Sequence, residues 1–337
     1  MRDGVRFGVR LTRAIAIPPP PESIVDGYYT AFKGWQGPNA RMPAYADITP
    51  YDSISWMKVV DAAKECERLG YDSIIVPDHN VFGRGHLESW TTLSALSAVT
   101  EKIKLGTLVL CVPNRYPSIL AKSIATLDYI SGGRLFPLGL GTGYMKEEFE
   151  AYGIPFPPYD TRIQLLRETV EIMKLMFTQE EATYDGKLWK VRKAVCEPKP
   201  LQKPFPICIG GDGKKILDLA AEQADVINIS GDPETCRKRM QIVKERCSKI
   251  GRDFDDILFS LHEWFWIYSD EKERKEHSKG IDWMAPGAIT MGTPEECIRH
   301  FQAYVDIGIR DFGLRFEDLP SLKGLRTFAE EVIPAFR

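Results

Sequence analysis

The feature that most constrains this chain is a repeated alternation of short apolar runs with longer amphipathic ones. The apolar runs are "VRFGV" (5–9), "DSIIVP" (72–77), "KIKLGTLVLCV" (102–112), "RLFPLGLG" (134–141), "PFPICIGG" (204–211), "DVINIS" (225–230), "DILFSLHEWFWIYS" (256–269) and "IRDFGLRF" (309–316). Between them lie helical patterns. In "SWMKVVDAAKECERLG" (55–70), Trp56, Val59, Val60, Ala63 and Leu69 recur near helical spacing and Gly70 ends the run. "YPSILAKSIATLDYIS" (116–131) carries Pro117 in its first turn, where the missing N–H does no harm. Strand–helix alternation with about eight units predicts an α/β (β/α)8 TIM barrel spanning 1–337 as one domain. An open doubly wound sheet also alternates, and the number of units favours the barrel.

Three segments interrupt the pattern and are expected at the rim over the C-terminal ends of the strands. Residues 17–53 form a long proline-rich stretch with Tyr28, Tyr29, Phe32, Trp35 and Tyr45, expected to be a lid over a pocket. "ATYDGKLWKV" (182–191) reads as a small hairpin turned at Asp185-Gly186. Residues 270–291, polar and then Gly/Pro-containing, read as a second rim loop.

The bulk numbers exclude several classes. A net charge of −3 is the wrong sign for nucleic-acid binding. No apolar run is long enough to span a bilayer, and the arginines in "MRDGVRFGVRLTRAIAIPPPP" spoil a signal peptide. Seven scattered cysteines without a C-x-x-C pair fit reduced thiols and neither a disulfide scaffold nor a metal site. A soluble cytoplasmic protein is expected.

In a parallel barrel, active sites gather where the strands end. Strand two ends in Asp78 and His79, a pair that either caps a turn or works in a cavity. Strand three offers Thr107, Leu108 and Val109; strand four ends in "GLGTGY", with Gly139, Gly141, Thr142 and Gly143. Strand five ends in "GGDGKK", with Gly210, Gly211 and Lys214. Such glycines permit close backbone approach by a flat ligand, and the helix start after Gly211 suits a phosphate. The plain readings stand beside these. The strand-four glycines do not form the G-x-G-x-x-G fingerprint. Asp212 could cap the helix as N-cap and would repel a phosphate. His86 and His300 fit surface or core roles, whereas His262 shares a face with Trp264 and Trp266 and points into the barrel.

Taken together, "GYDSIIVPDHNV", the run from "IKLGTLVLCVPNRYP" to "GLGTGYMKEEFEAYG", "TRIQLLRETVEIMKLMFT", "YDGKLWKV" and "PLQKPFPICIGG" resemble the bacterial-luciferase-like superfamily, and within it the coenzyme F420-dependent oxidoreductases. The resemblance runs from about residue 55 to 230 and less distinctly to the C-terminus. It implies a deazaflavin across the strand ends, with Asp78 and His79 beside the reactive ring. A non-proline cis peptide at Leu108–Val109 is implied against the ring's back face, with Thr107 in the same strand segment. Gly141, Thr142 and Gly143 are implied along the ring and ribityl chain, and Gly210 and Gly211 at the phosphate, beside Lys214 of the same strand end. It also implies a homodimer. The sugar-phosphate dehydrogenases of that branch carry a glutamate where this chain has Tyr144 and a tryptophan where it has "NVFGRG", which counts against a sugar-phosphate substrate.

The chemistry so implied is hydride transfer between F420 and a small organic substrate. His79 is the acid/base, and Asp78 orients its ring or raises its basicity. The aromatic 17–53 segment points to a bulky apolar or aromatic substrate. Rival readings are an FMN-dependent two-component monooxygenase, a non-catalytic flavin-binding protein on the same barrel, and a phosphate-handling isomerase or aldolase. The last wants a lysine or an acid pair at the strand ends.

Overall fold

The computed structural model of the protein describes residues 4–11, 56–80, 87–278, 290–316, 318–319 and 321–337. The 17–53 segment and the "VFGRG" stretch at 81–85 lie outside the described residues.

The strands are β1 (Arg6–Arg10), β2 (Ser73–Val76), β3 (Lys104–Cys111), β4 (Leu135–Gly141), β5 (Ala182–Asp185), β6 (Lys190–Ala194), β7 (Cys208–Gly210), β8 (Val226–Ile229), β9 (Leu258–Ile267), β10 (Thr290–Gly292) and β11 (Ile309–Phe316). Parallel pairings run β1-β2-β3-β4-β7-β8-β9-β11 and return from β11 to β1. Eight strands therefore close on themselves, which removes the open-sheet alternative. The helices are α1 (Trp56–Arg68), α2 (Ser89–Val99), α3 (Pro117–Ile130), α4 (Lys146–Ala151), α5 (Tyr159–Thr178), α6 (Lys214–Gln223), α7 (Pro233–Ile250), α8 (Glu271–Ser278), α9 (Pro294–Asp306) and α10 (Lys323–Thr327), the last continued by a π-helical turn and a 3-10 turn to Phe336.

Alternation along the strands separates two cores. Phe7 and Val9 of β1 join the large core between strands and helices, where Phe7 meets Phe301, Phe312 and Phe328 at centroid distances of 5.5, 5.4 and 5.2 Å. Burial of each such ring stabilises by roughly 1.5–3 kcal/mol. Inside the barrel, Ile75, Leu108, Phe136, Cys208 and Val226 form a separate cluster. Helix ends follow local chemistry. Asp232 accepts from the Thr235 N–H at 2.7 Å to start α7, Pro233 takes its first turn, and Gly251 ends it in the left-handed conformation at φ 70°. Thr293 and Glu296 form a reciprocal capping box at the start of α9.

The hairpin expected at 182–191 is present and runs to Ala194. Its turn is held by the buried Glu168 of α5, whose carboxylate accepts from the N–H groups of Lys187, Leu188 and Trp189. The expected loop at 270–291 is in part regular structure. It opens with α8, and Thr290–Gly292 adds a parallel edge strand to β9; residues 279–289 lie outside the described residues. Helix α4 lies between the strand-four glycines and α5, where no helix was expected.

Candidate active site

Asp78 and His79 follow the Ser73–Val76 strand directly, and the structure gives them separate roles. Asp78 is buried and accepts four hydrogen bonds: from Ser89 Oγ (2.7 Å), the Cys111 N–H (2.8 Å), Arg115 Nη1 (2.5 Å) and Arg115 Nη2 (2.9 Å). These tie the end of β2 to the end of β3 and to the first residue of α2. Arg115 also reaches Glu88, whose side chain caps α2 by accepting from Trp90 and Thr91. None of the four bonds involves His79, so Asp78 does not orient the imidazole by a direct hydrogen bond. A buried carboxylate must have its lone pairs occupied, and Arg115 adds the countercharge to the Ser89 and Cys111 donors.

His79 pairs with Glu148, on α4. His79 Nδ1 lies 3.0 Å from Glu148 Oε2, and Oε1 of the same carboxylate accepts from the Asn80 N–H at 2.9 Å. The His79 ring meets Tyr144 edge to face at 5.8 Å. Tyr144 is 64% exposed; partial desolvation raises its hydroxyl above the ordinary tyrosine value, against the pull of the Arg10 charge. Arg10, Tyr144, His79 and Glu148 thus share one region of the barrel mouth.

On β3 the peptide Leu108–Val109 is cis, as the resemblance implies. The register against β4 slips there, with Thr107 opposite Leu138 and Leu110 opposite Leu140, so one extra residue bulges from β3. Leu108 turns into the inner cluster, while Val109 packs against the neighbouring strands. A Cβ on Gly139, Gly141 or Gly210 would lie 2.9, 2.5 or 2.6 Å from a Val109 methyl. These glycines therefore make room for a side chain of the protein itself, Val109. Thr107 is buried and its hydroxyl donates to the Gly139 carbonyl at 2.9 Å, tying β3 to β4. Gly143, at φ 70°, sits where a Cβ would strike Cys111 Sγ and the Phe149 ring; Thr142 beside it is buried.

At the end of β7, Asp212 is not the helix cap. It accepts from the Ser230 N–H (2.9 Å) and Oγ (2.5 Å) and lies 3.3 Å from Arg239, while Gly213 takes the cap position of α6. Its charge is thereby countered by Arg239, which weakens the objection that it repels a phosphate. Gly211 would strike Ile216 with any Cβ, another packing requirement. Lys214 pairs with Asp218 one turn along the exposed side of its own helix at 2.7 Å.

Inside the mouth, His262 does point inward. Its Nδ1 donates to the Gly313 carbonyl at 2.8 Å, which leaves Nε2 to accept from Arg10 Nη1 at 2.6 Å. Burial, and then the Arg10 charge, push the imidazole down to about 3, so it is neutral and unsuited to proton transfer near neutral pH. His300 bonds Glu263 at 2.8 Å. A cavity of about 790 Å³ lined by Asp225, Phe254 and Arg310 opens at the opposite, N-terminal end of the strands, away from these groups. Among the described residues no group of His, Cys, Asp and Glu side chains could hold a metal ion, and no helix is long and apolar enough to cross a membrane.

Glu148, Arg115 and Arg10 were not singled out in the sequence. The first had a signal: Met145, Phe149 and Tyr152 recur at helical spacing before Gly153, marking a short helix that carries Glu148 one turn past the strand-four glycines.

Residues 36–286 match the luciferase-like monooxygenase family. An F420-dependent glucose-6-phosphate dehydrogenase of Microbacterium testaceum is 30% identical over 318 residues, covering 83% of this chain and 93% of that protein. The F420-dependent tetrahydromethanopterin reductase of Methanopyrus kandleri superposes with a TM-score of 0.72 at 20% identity, over 99% of this chain and 100% of that one. An F420-dependent secondary alcohol dehydrogenase in complex with an F420–acetone adduct superposes with a TM-score of 0.71 at 23% identity, over 83% and 95%. The two superpositions bear on the fold, which is the same closed barrel. With the bulge at Leu108–Val109 and the imidazole at the end of β2 already placed, the family match completes the assignment: the chain belongs to the luciferase-like monooxygenase family.

Proposed function

We propose that the protein is an F420-dependent oxidoreductase acting on a small organic substrate, with His79 as its proton donor and acceptor. The observation that carries this reading is the placement of a hydrogen-bonded imidazole at the end of β2, next to the strand whose Val109 bulges against the β4 and β7 glycines. The residues present fit the cofactor. Val109, seated among glycines, offers an apolar support for a flat ring, and the N-terminus of α6, with the Asp212 charge countered, suits a phosphate. F420, when bound, supplies a ring carbon that gives or takes a hydride.

The protein's own residues manage the rest. His79 takes the hydroxyl proton of a substrate being oxidised, or returns it to a carbonyl oxygen being reduced. Asp78 and Arg115 fix the backbone that carries His79. Tyr144, largely exposed where the sugar-phosphate dehydrogenases have a glutamate, gives the substrate an aromatic surface in place of a charge, which favours an uncharged apolar or aromatic substrate over a sugar phosphate.

A panel of secondary alcohols and enones, followed through the absorbance of F420, tests the reading. His79→Ala should lower turnover about 100-fold or more, the usual contribution of a positioned acid/base, while F420 affinity changes by less than about fivefold. Turnover equal to that of the wild type would remove His79 from the mechanism.

A further inference from the structure

We propose that Glu148 is a positioning residue that sets which nitrogen of His79 faces the barrel mouth. The inference rests on the reading of His79 as acid/base and names the residue that makes the imidazole fit for it. Both oxygens of Glu148 are engaged on the same short stretch: Oε2 with His79 Nδ1 at 3.0 Å and Oε1 with the Asn80 N–H at 2.9 Å. The two side chains are largely shielded, with 17% of His79 and 11% of Glu148 exposed.

The carboxylate arrives there by packing. Met145 and Phe149, on either side of it in sequence, are buried, and Gly143 allows the chain to pass against Phe149 and Cys111 where any Cβ would collide. On the other side, Asp78 is fixed by Arg115, Ser89 and the Cys111 N–H. The backbone of the pair is thus held by one carboxylate and the ring by another, four residues beyond Tyr144.

The chemistry follows from what each atom can do. A carboxylate only accepts, so Nδ1 must carry the proton, and in the neutral ring Nε2 is the unprotonated nitrogen, able to accept a proton. Once Nε2 is protonated, the imidazolium lies 3.0 Å from a carboxylate that stabilises it. A ring with the opposite tautomer would present an N–H where an acceptor is needed. Glu148 therefore acts through His79 and touches no reacting atom.

The test is the tautomer of His79 in the full-length protein without ligand, read from the 15N shifts of its ring nitrogens at about pH 8. The chain has 5 histidines, so a His79→Gln sample assigns the signal. In the wild type the Nδ1–H form should dominate. In Glu148→Gln, whose carbonyl can keep the Asn80 bond while its amide donates to Nδ1, the Nδ1–H to Nε2–H ratio should fall about tenfold or more, the reach of one charge-assisted hydrogen bond. A wild-type ring in the Nε2–H form, or a ratio unchanged in Glu148→Gln, overturns the proposal, and the wild-type spectrum decides if the variant does not fold. The outcome is separable from that of the acid/base reading. Full turnover in His79→Ala would defeat the latter and leave the tautomer result standing.

Discussion

Val109 fills the space that a side chain on Gly141 would need: a Cβ there would lie 2.5 Å from Val109 Cγ2. Gly141→Ala should therefore push the bulge off its seat, lowering stability by about 1–3 kcal/mol, as overpacking does, and weakening F420 binding. Urea denaturation and fluorescence titration read the two effects. The double variant Gly141→Ala/Val109→Ala should recover most of the stability, because the colliding methyls are gone. A Gly141→Ala protein as stable as the wild type would show that Val109 moves aside freely and supports nothing.

The neighbours Asp78 and His79 should separate cleanly in mutants. Asp78→Asn removes the charge that holds Arg115 at the end of β3 and should destabilise by about 3–5 kcal/mol, the range for breaking a buried ion pair. His79→Ala should cost less, about 1–2 kcal/mol, since Glu148 keeps its bond to Asn80 and no buried ion is stripped of all its partners. Urea midpoints of the two variants check this. Equal losses would mean the pair is one structural unit.

His262 makes a signed contribution to pH dependence. Its folded value, pushed down to about 3, lies below the ordinary 6.5. The unfolded chain takes up a proton below 6.5 that the folded chain refuses. The stability tied to this group is therefore whole above 6.5 and is lost as pH falls from 6.5 toward 3. Between pH 7 and 5 the wild type should lose on the order of 1–2 kcal/mol more than His262→Gln, which can still donate to Gly313 and accept from Arg10. Parallel losses in the two proteins would show that His262 is not the group responsible.

The barrel was legible because its signal repeats: eight buried strands, each followed by a helical pattern, leave few alternatives even where single boundaries are loose. The Asp-His pair was legible as an anomaly, two ionisable side chains at the end of the apolar run Ile74-Ile75-Val76. What each does was not. The donors that occupy Asp78 come from Ser89, Cys111 and Arg115, and the acceptor for His79 from Glu148, 69 residues away. Spacing along the chain carries no trace of such pairings. What comes close to the glycines was hidden for a related reason. A glycine marks a place where something comes close, and at Gly139, Gly141 and Gly210 that is Val109. A lysine after a glycine turn can reach a ligand or its own helix, and here Lys214 meets Asp218 one turn on.

The central claim is that the mouth of this barrel takes F420. Titrating the purified protein with F420 and, separately, with FMN, while following cofactor fluorescence, tests it most directly. F420 should bind at least about tenfold more tightly than FMN, and Gly141→Ala should weaken the F420 curve. Tight binding of FMN with indifference to F420 would contradict the account.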